Sequence, residues 1–271
     1  MNMRTRDQML KGLASCALRI LYLGIFVFFL LGLGQARAGI LVVDDFEDPA
    51  SSEKLWDQSS DGILNIVTDP AKAHSGSRVN ELVYTPGWNG PGFMNRFFSP
   101  VPEVYVRWYE KYSDNWVWSR VATKGIFVLT ENPSWGVVTG TNFSESNYAG
   151  HVNLEPFPFK SGVNIQNGKW YCLELRWTQQ GVFQMWIDGV LRIDRSNLGT
   201  APGGARHLTV SGYYNDAEGR SCNGQVPCGV PQLQTRWIDD VAVSTQRIGC
   251  LPDTGDKTAP DVPKGLRLMS Q

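Results

Sequence analysis

Three stretches carry side chains able to do chemistry at a spacing of two. In HVNLEP, His151, Asn153 and Glu155 alternate with Val152 and Leu154. In HLTVSGYYND, the alternating positions from His207 are Thr209, Ser211, Tyr213 and Asn215, set against Leu208 and Val210. In YVRWYEKY, Tyr105, Arg107, Tyr109 and Lys111 alternate with Val106, Trp108, Glu110 and Tyr112. Successive side chains of a strand point to opposite faces, so each stretch offers a face of aromatic, basic and hydrogen-bonding groups. Such a set suits a saccharide. Pyranose faces stack on aromatic rings and hydroxyls take directed hydrogen bonds, while Arg107 or Lys111 could grip the carboxylate of an anionic sugar, arginine through two bonds. The competing reading is an ordinary solvated face of an antiparallel sheet, one side of which is wet by default. The exposed tyrosines weigh for the groove, and Arg107, Tyr109, Lys111, Asn153, His207 and Asn215 are the expected substrate-binding residues.

The elements that must position these groups are strands. Short alternating runs are separated by Gly, Pro, Asn and Asp, with almost no helical periodicity. The clearest are Glu103–Tyr112, Gly125–Thr130, His151–Phe157, Trp170–Thr178, Val182–Asp188, Val190–Asp194, the run from His207, and Arg236–Thr245. Asp188-Gly189 between two such runs signals a tight hairpin, because both turn positions need positive φ. The expected class is all-β.

Residues 1–38 read as a secretory signal peptide: a basic start, an uncharged apolar run from Ile20 to Gly34, and Ala36-Arg37-Ala38 as a small-x-small cleavage site. The apolar run is shorter than the roughly 20 residues that span a bilayer. Without this segment 20 basic and 25 acidic residues remain, so the net charge of about −5 invites neither nucleic acid nor a membrane surface. The chain is expected to be secreted, periplasmic or at the cell surface, and monomeric, with residues 39–250 as one domain. The Pro-, Asp- and Lys-rich residues 251–271 form a flexible tail that resembles the lead-in to a fibronectin type III repeat. Of the cysteines outside the leader, Cys222 and Cys228 bracket a Gly/Pro loop and are expected to pair locally, leaving Cys172 for Cys250.

DDFEDP at Asp44–Pro49, NGKWYCLELRWTQQGVFQMWIDGVLRID in the middle and RWIDDVAVSTQRIG near the end resemble the concanavalin A-like lectin/glucanase superfamily of secreted bacterial proteins. That resemblance implies a jelly-roll sandwich of two antiparallel sheets whose concave face, in relatives, binds or cleaves polysaccharide. SGYYND resembles part of the strand Y-x-K-x-G-x-Y-x-Q of jelly-roll alginate lyases, with Leu208 and Val210 where that strand has Tyr and Lys. Such lyases remove the C5 proton of a uronic acid with a Tyr or His base and a Tyr acid, after the carboxylate has been neutralised. On this reading His151 and Tyr213 are the base and acid, in either order. Relatives also often hold a structural Ca²⁺ between an N-terminal acid and one in the last strand, which implies Asp45, Glu47 and Asp240 as its ligands here. No organic cofactor is expected.

The E-x-D-x-x-E strand of laminarinase-type hydrolases is absent, and Glu131, Glu145, Glu155 and Glu174 stand isolated, Glu174 among leucines where a structural ion pair is expected. The expected function is recognition of a polysaccharide, anionic if Arg107 or Lys111 binds it, with cleavage of uronic-acid polymers by β-elimination. The alternatives are a non-catalytic lectin-like module and a cell-surface adhesive domain.

Overall fold

A computed structural model of the chain describes residues 39–60, 62–119, 121–142, 147–153, 158–215 and 229–252, without the side chains of Asn142 and Asn215. The expected leader, Glu155, the Cys222–Cys228 loop and the tail from residue 253 lie outside the described residues.

The alternating runs pair into two antiparallel sheets of eight strands each. The back sheet is ordered β13 (Val190–Arg195), β12 (Phe183–Ile187), β11 (Tyr171–Thr178), β6 (Glu103–Tyr112), β16 (Gln234–Ser244), β4 (Arg78–Tyr84) and β3 (Ile66–Thr68), with β1 (Ile40–Asp44) also on β16. The front sheet is ordered β10 (Phe159–Asn164), β9 (Asn147–Val152), β8 (Gly136–Asn142), β7 (Ala122–Leu129), β14 (Ala205–Ser211), β5 (Phe93–Val101) and β2 (Gln58–Ser59), with β15 (Tyr214–Asn215) beside β7. This is the expected jelly-roll sandwich. The one helix among the described residues, α1 (Pro49–Leu55), begins on a proline, whose fixed φ suits a first helical turn. Asp188 and Gly189 join β12 to β13 with φ of 50° and 75°, as the hairpin signal requires.

The inner faces of both sheets meet in one core. Val106, Trp108, Leu173, Leu175, Trp177 and Met185 come from the back sheet, and Met94, Ile126, Val128, Val137, Tyr148, Leu208 and Val210 from the front. Cys172 is bonded to Cys250, which ties the segment after β16 to β11 across 78 residues. Closing a loop of that length stabilises the fold by about 4 kcal/mol in the chain-entropy account.

The run from His207 departs from one continuous strand. It breaks at Gly212, whose N–H donates to Gly92 O and whose Cβ, were there one, would lie 2.7 Å from Pro91 Cγ. After the break Tyr214 turns inward, 1% exposed, and its hydroxyl donates to Val117 O. Tyr213 stays on the outer side, half-buried.

Candidate functional site

The outer face of the front sheet is read from its register. Thr209 pairs with Phe127, Phe127 with Val138 and Val138 with His151. One row further along, Lys124 pairs with Gly140, Gly140 with Ala149 and Ala149 with Lys160. The small Gly140 and Ala149 leave a depression between Lys124 and His151. Ala122, Thr123, Val138, Thr139, Thr141 and Pro158 complete its lining, and the open space is about 350 Å³. Gly140 cannot be enlarged, because β7 bulges between Lys124 and Phe127 and brings Thr123 O within 2.1 Å of where a Cβ would stand.

Lys124 links this depression to Tyr213. Its ammonium lies 5.1 Å from the Tyr213 ring centroid and 5.9 Å from that of Phe127, and its N–H donates to Tyr213 O at 2.8 Å. Burial, followed by the positive charge of Lys124, pulls the His151 imidazole below its usual range. The ring is therefore neutral, and able to accept a proton, at neutral pH. Along the same face His207 stacks on Phe97 at 4.5 Å and faces the Thr209 hydroxyl at 3.0 Å. Thr209 in turn donates to Asn95 Oδ1. Burial and then Arg206 also lower the His207 pKa.

Of the expected site residues, His151, Tyr213 and His207 thus share one face. Asn153 does not serve it. With φ of 50° it ends β9 in a turn, and its amide is spent on Gly136 N, Trp177 Nε1 and Leu198 O. The backbone of Asn215 pairs with Ala122, while its side chain lies outside the description. Lys124 is not among the expected residues: the alternation reads as a strand from Gly125, whereas β7 starts at Ala122 and takes in Lys124.

Arg107, Tyr109 and Lys111 need a correction. Their alternation on β6 is as expected, but β6 lies between β11 and β16 in the back sheet, so these side chains face away from His151 and Tyr213. Arg107 is 8% exposed and donates from Nε and Nη2 to Asp240 O. Tyr109 stacks on His74 at 3.5 Å, accepts the Leu251 N–H and is pushed up to about 12 by burial. Lys111 lies over Trp170 and Trp237 at 5.1 and 5.0 Å. Spacing assigns residues to a face, but not a face to a sheet. The isolated Glu174 accepts the N–H groups of Ile248 and Gly249 and pairs with Arg247.

The carboxylates expected to hold calcium each have protein partners. Glu47 accepts Ser77 N, Arg78 N and the Ser77 hydroxyl, Asp45 accepts Glu47 N, and Asp240 accepts from His74 Nδ1 and the Ser75 hydroxyl. Among the described residues no group of three His, Cys, Asp or Glu side chains is placed to hold a metal ion. No helix of the described residues is long and apolar enough to cross a membrane.

No family model matches the chain, and no curated protein does. Solved structures do. The chain is similar to alginate lyase vAL-1 from Chlorella virus, with 10% identity over 77% of this chain and 100% of that one at a TM-score of 0.55. It is similar to the cellulose-induced protein Cip1, with 18% identity over 77% and 99% at 0.53. It is also similar to the endo-β-1,4-glucuronan lyase of the fungus Trichoderma reesei, with 16% identity over 70% and 91% at 0.51. At these identities the likeness is one of fold, a jelly roll of two stacked antiparallel sheets.

Proposed function

We propose that the chain acts on polysaccharide and cleaves a uronic-acid-containing polymer by β-elimination at the Lys124–His151–Tyr213 face. The observation that carries this reading is the position of Lys124, sharing the depression with His151 and standing over the Tyr213 ring. The lysine that Val210 does not provide within its own strand is supplied by the neighbouring one. Two of the similar structures are lyases of glucuronan and alginate, which supports the reaction class without fixing the substrate.

The chemistry follows from the groups present. The Lys124 ammonium neutralises the substrate carboxylate, which makes the C5 proton acidic enough for a side-chain base. Neutral His151 takes that proton, the C5–H electron pair forms the C4–C5 double bond, and the C4–O bond breaks. The Tyr213 hydroxyl protonates the departing oxygen. Transfer of the proton from His151 back to the Tyr213 oxygen through water resets the site. His207 and Phe97, further along the face, offer a surface for a neighbouring sugar unit.

Calcium is a separate proposal, a structural ion held by Asp45, Glu47 and Asp240. It would have to displace the N–H and O–H donors now on those carboxylates, so an identical melting midpoint in calcium and in chelator removes it. Export is proposed from the leader-like residues 1–38, and the Cys172–Cys250 bond fits an oxidising compartment.

The test is incubation of the purified protein with alginates, glucuronans, glycosaminoglycans and pectate, following the ultraviolet band of the unsaturated uronate. A rise that Tyr213→Phe and His151→Ala abolish is the expected result. A flat trace with retention on one polymer in affinity electrophoresis makes the face a binding site and ends the catalytic assignment.

A further inference from the structure

Among the described residues, one fully buried charge pair is not touched by the proposed mechanism. Arg236 of β16 and Glu110 of β6 are 0% and 1% exposed and meet at 2.6 Å in the middle of the core. Burial alone would pull the guanidinium pKa down, but Glu110 together with Tyr112, Tyr84 and Tyr148 outweighs it and the arginine stays charged. Such a pair contributes little net stability over apolar side chains of similar volume, because both ions lose their water. Something other than stability has to account for a whole guanidinium placed here.

Its remaining donors show where it acts. Nη1 crosses from the back sheet to the front sheet and donates to two carbonyls, Lys124 O at 3.0 Å and Ser211 O at 2.8 Å. Both are irregular points of the front sheet. Lys124 opens the bulge of β7, and Ser211 is the last residue of β14 before the Gly212 break. At each of them the strand departs from regular pairing and carries a proposed catalytic group, Lys124 itself and Tyr213 two residues beyond Ser211. The two are also joined directly by the Lys124 N–H bond to Tyr213 O. One planar fork thus ties together the two backbone points that place the ammonium over the phenol ring.

The surroundings are cut to fit the fork. A Cβ on Gly125 would lie 2.6 Å from the Tyr148 hydroxyl, so glycine here makes room for the phenol that shares Glu110 with Arg236. Glu110 Oε2 also accepts from Trp108 Nε1 and the Tyr148 hydroxyl, which fixes the carboxylate that aims the guanidinium. The Arg236 guanidinium carbon stands 5.7 Å from the Tyr112 ring centroid. Lysine carries the charge without the two-pronged geometry and cannot hold Glu110 and both carbonyls at once.

We infer that Arg236, aimed by Glu110, is a positioning residue that sets the separation of Lys124 and Tyr213 from beneath the sheet. The inference rests on the proposed lyase reading for its kinetic consequence but not for its structural one, and the experiment separates the two. Arg236→Lys and the double variant Arg236→Met with Glu110→Gln are compared with the wild type in three measurements: kcat and KM on the uronate polymer that is cleaved, the melting midpoint, and amide hydrogen exchange at Lys124.

The double variant removes both charges and keeps the volume, so it is expected to fold. The expected result in both variants is a fall in kcat of tenfold or more with KM nearly unchanged, and Lys124 amide exchange at least tenfold faster while Ile126 and Val128 keep their protection. Unchanged kcat and unchanged Lys124 exchange in the folded double variant overturn the inference. So does a parallel loss of kcat, KM, melting midpoint and protection along all of β7, which is what a purely structural pair would give. If the wild type cleaves none of the polymers, the lyase reading fails and amide exchange at Lys124 alone decides the role of Arg236.

Discussion

The two outer faces of the sandwich carry the same kinds of side chain and use them in opposite ways. On the back sheet each candidate is already engaged: His74 stacks on Tyr109 and faces Asp240, Arg107 holds Asp240 O, and Lys111 lies over two tryptophans. On the front sheet the His151 ring, the Lys124 ammonium and the Tyr213 hydroxyl make no hydrogen bond to the described residues; His151 and Lys124 border a depression floored by Gly140 and Ala149, and the Tyr213 ring lies 5.1 Å from the ammonium. A face rich in Arg, Tyr and Lys is therefore not yet a site. What marks the front sheet is polar capacity left unspent beside missing volume.

The largest effect that sharpens this contrast is on turnover. Tyr213→Phe removes the proton donor while leaving the ring under Lys124, and general acid catalysis contributes typically 10²- to 10⁴-fold. A loss of kcat in that range with an unchanged melting midpoint is expected from steady-state kinetics and calorimetry. Turnover that survives in Tyr213→Phe would end the assignment of Tyr213 as the acid.

The next effect belongs to the back sheet and falls on stability. Cys172→Ser with Cys250→Ser opens the loop of 78 residues, and removal of such a bond typically costs about 2–5 kcal/mol. Denaturant unfolding should show that loss while kcat on the cleaved polymer stays within a factor of two. A variant that loses turnover without losing stability would mean that the two faces are not separable.

How far the sequence shows this contrast depends on the residue. The jelly roll, the Asp188-Gly189 hairpin and the inner faces of β6, β11 and β14 follow from alternation and turn chemistry, which are local. The placement of His151 and Tyr213 on outer faces is legible for the same reason. Two things are not. Which sheet a strand joins depends on pairing between distant segments, so Arg107, Tyr109 and Lys111 were grouped with the wrong face by a correct periodicity. Asn153 looked available because its left-handed φ and its bonds to Gly136, Trp177 and Leu198 exist only once three other segments are in place. Lys124 is hidden by its glycine neighbour, since Gly125 reads as the start of a strand while its missing side chain makes room for the Tyr148 hydroxyl.

A smaller effect tests the engaged state of the back sheet directly. Lys111→Met keeps the methylene stem between Trp170 and Trp237 and deletes the charge. Cation–π contacts of this kind contribute about 0.5–1 kcal/mol each at exposed sites. A loss of about 1 kcal/mol in unfolding free energy, with kcat and KM both unchanged, is the expected outcome. A rise in KM would return Lys111 to substrate binding and remove the distinction between the faces.

The smallest effect is electrostatic and belongs to the front sheet. Lys124 is the second cause, after burial, of the lowered His151 pKa. Replacing it by Gln removes a positive charge that disfavours imidazolium, so the His151 pKa should rise in Lys124→Gln. Burial persists, and solvent at this half-open site screens the charge, so the rise should recover only part of the depression. The sign carries over to the pH profile. The base works only when neutral, so wild-type kcat/KM falls as pH drops through the His151 pKa, and whatever activity Lys124→Gln retains should begin to fall at a higher pH. The same depression makes the unfolded chain the better proton binder, so His151 also costs stability as pH falls below about 6.5, the unfolded value, and less so in the variant. Titration of the His151 ring protons by NMR reads the shift without any substrate, with His207, whose neighbour is Arg206, as an internal control that should not move. An unshifted His151 would place Lys124 too far from the ring to share a uronate with it, and the front face would lose its claim to be a single site.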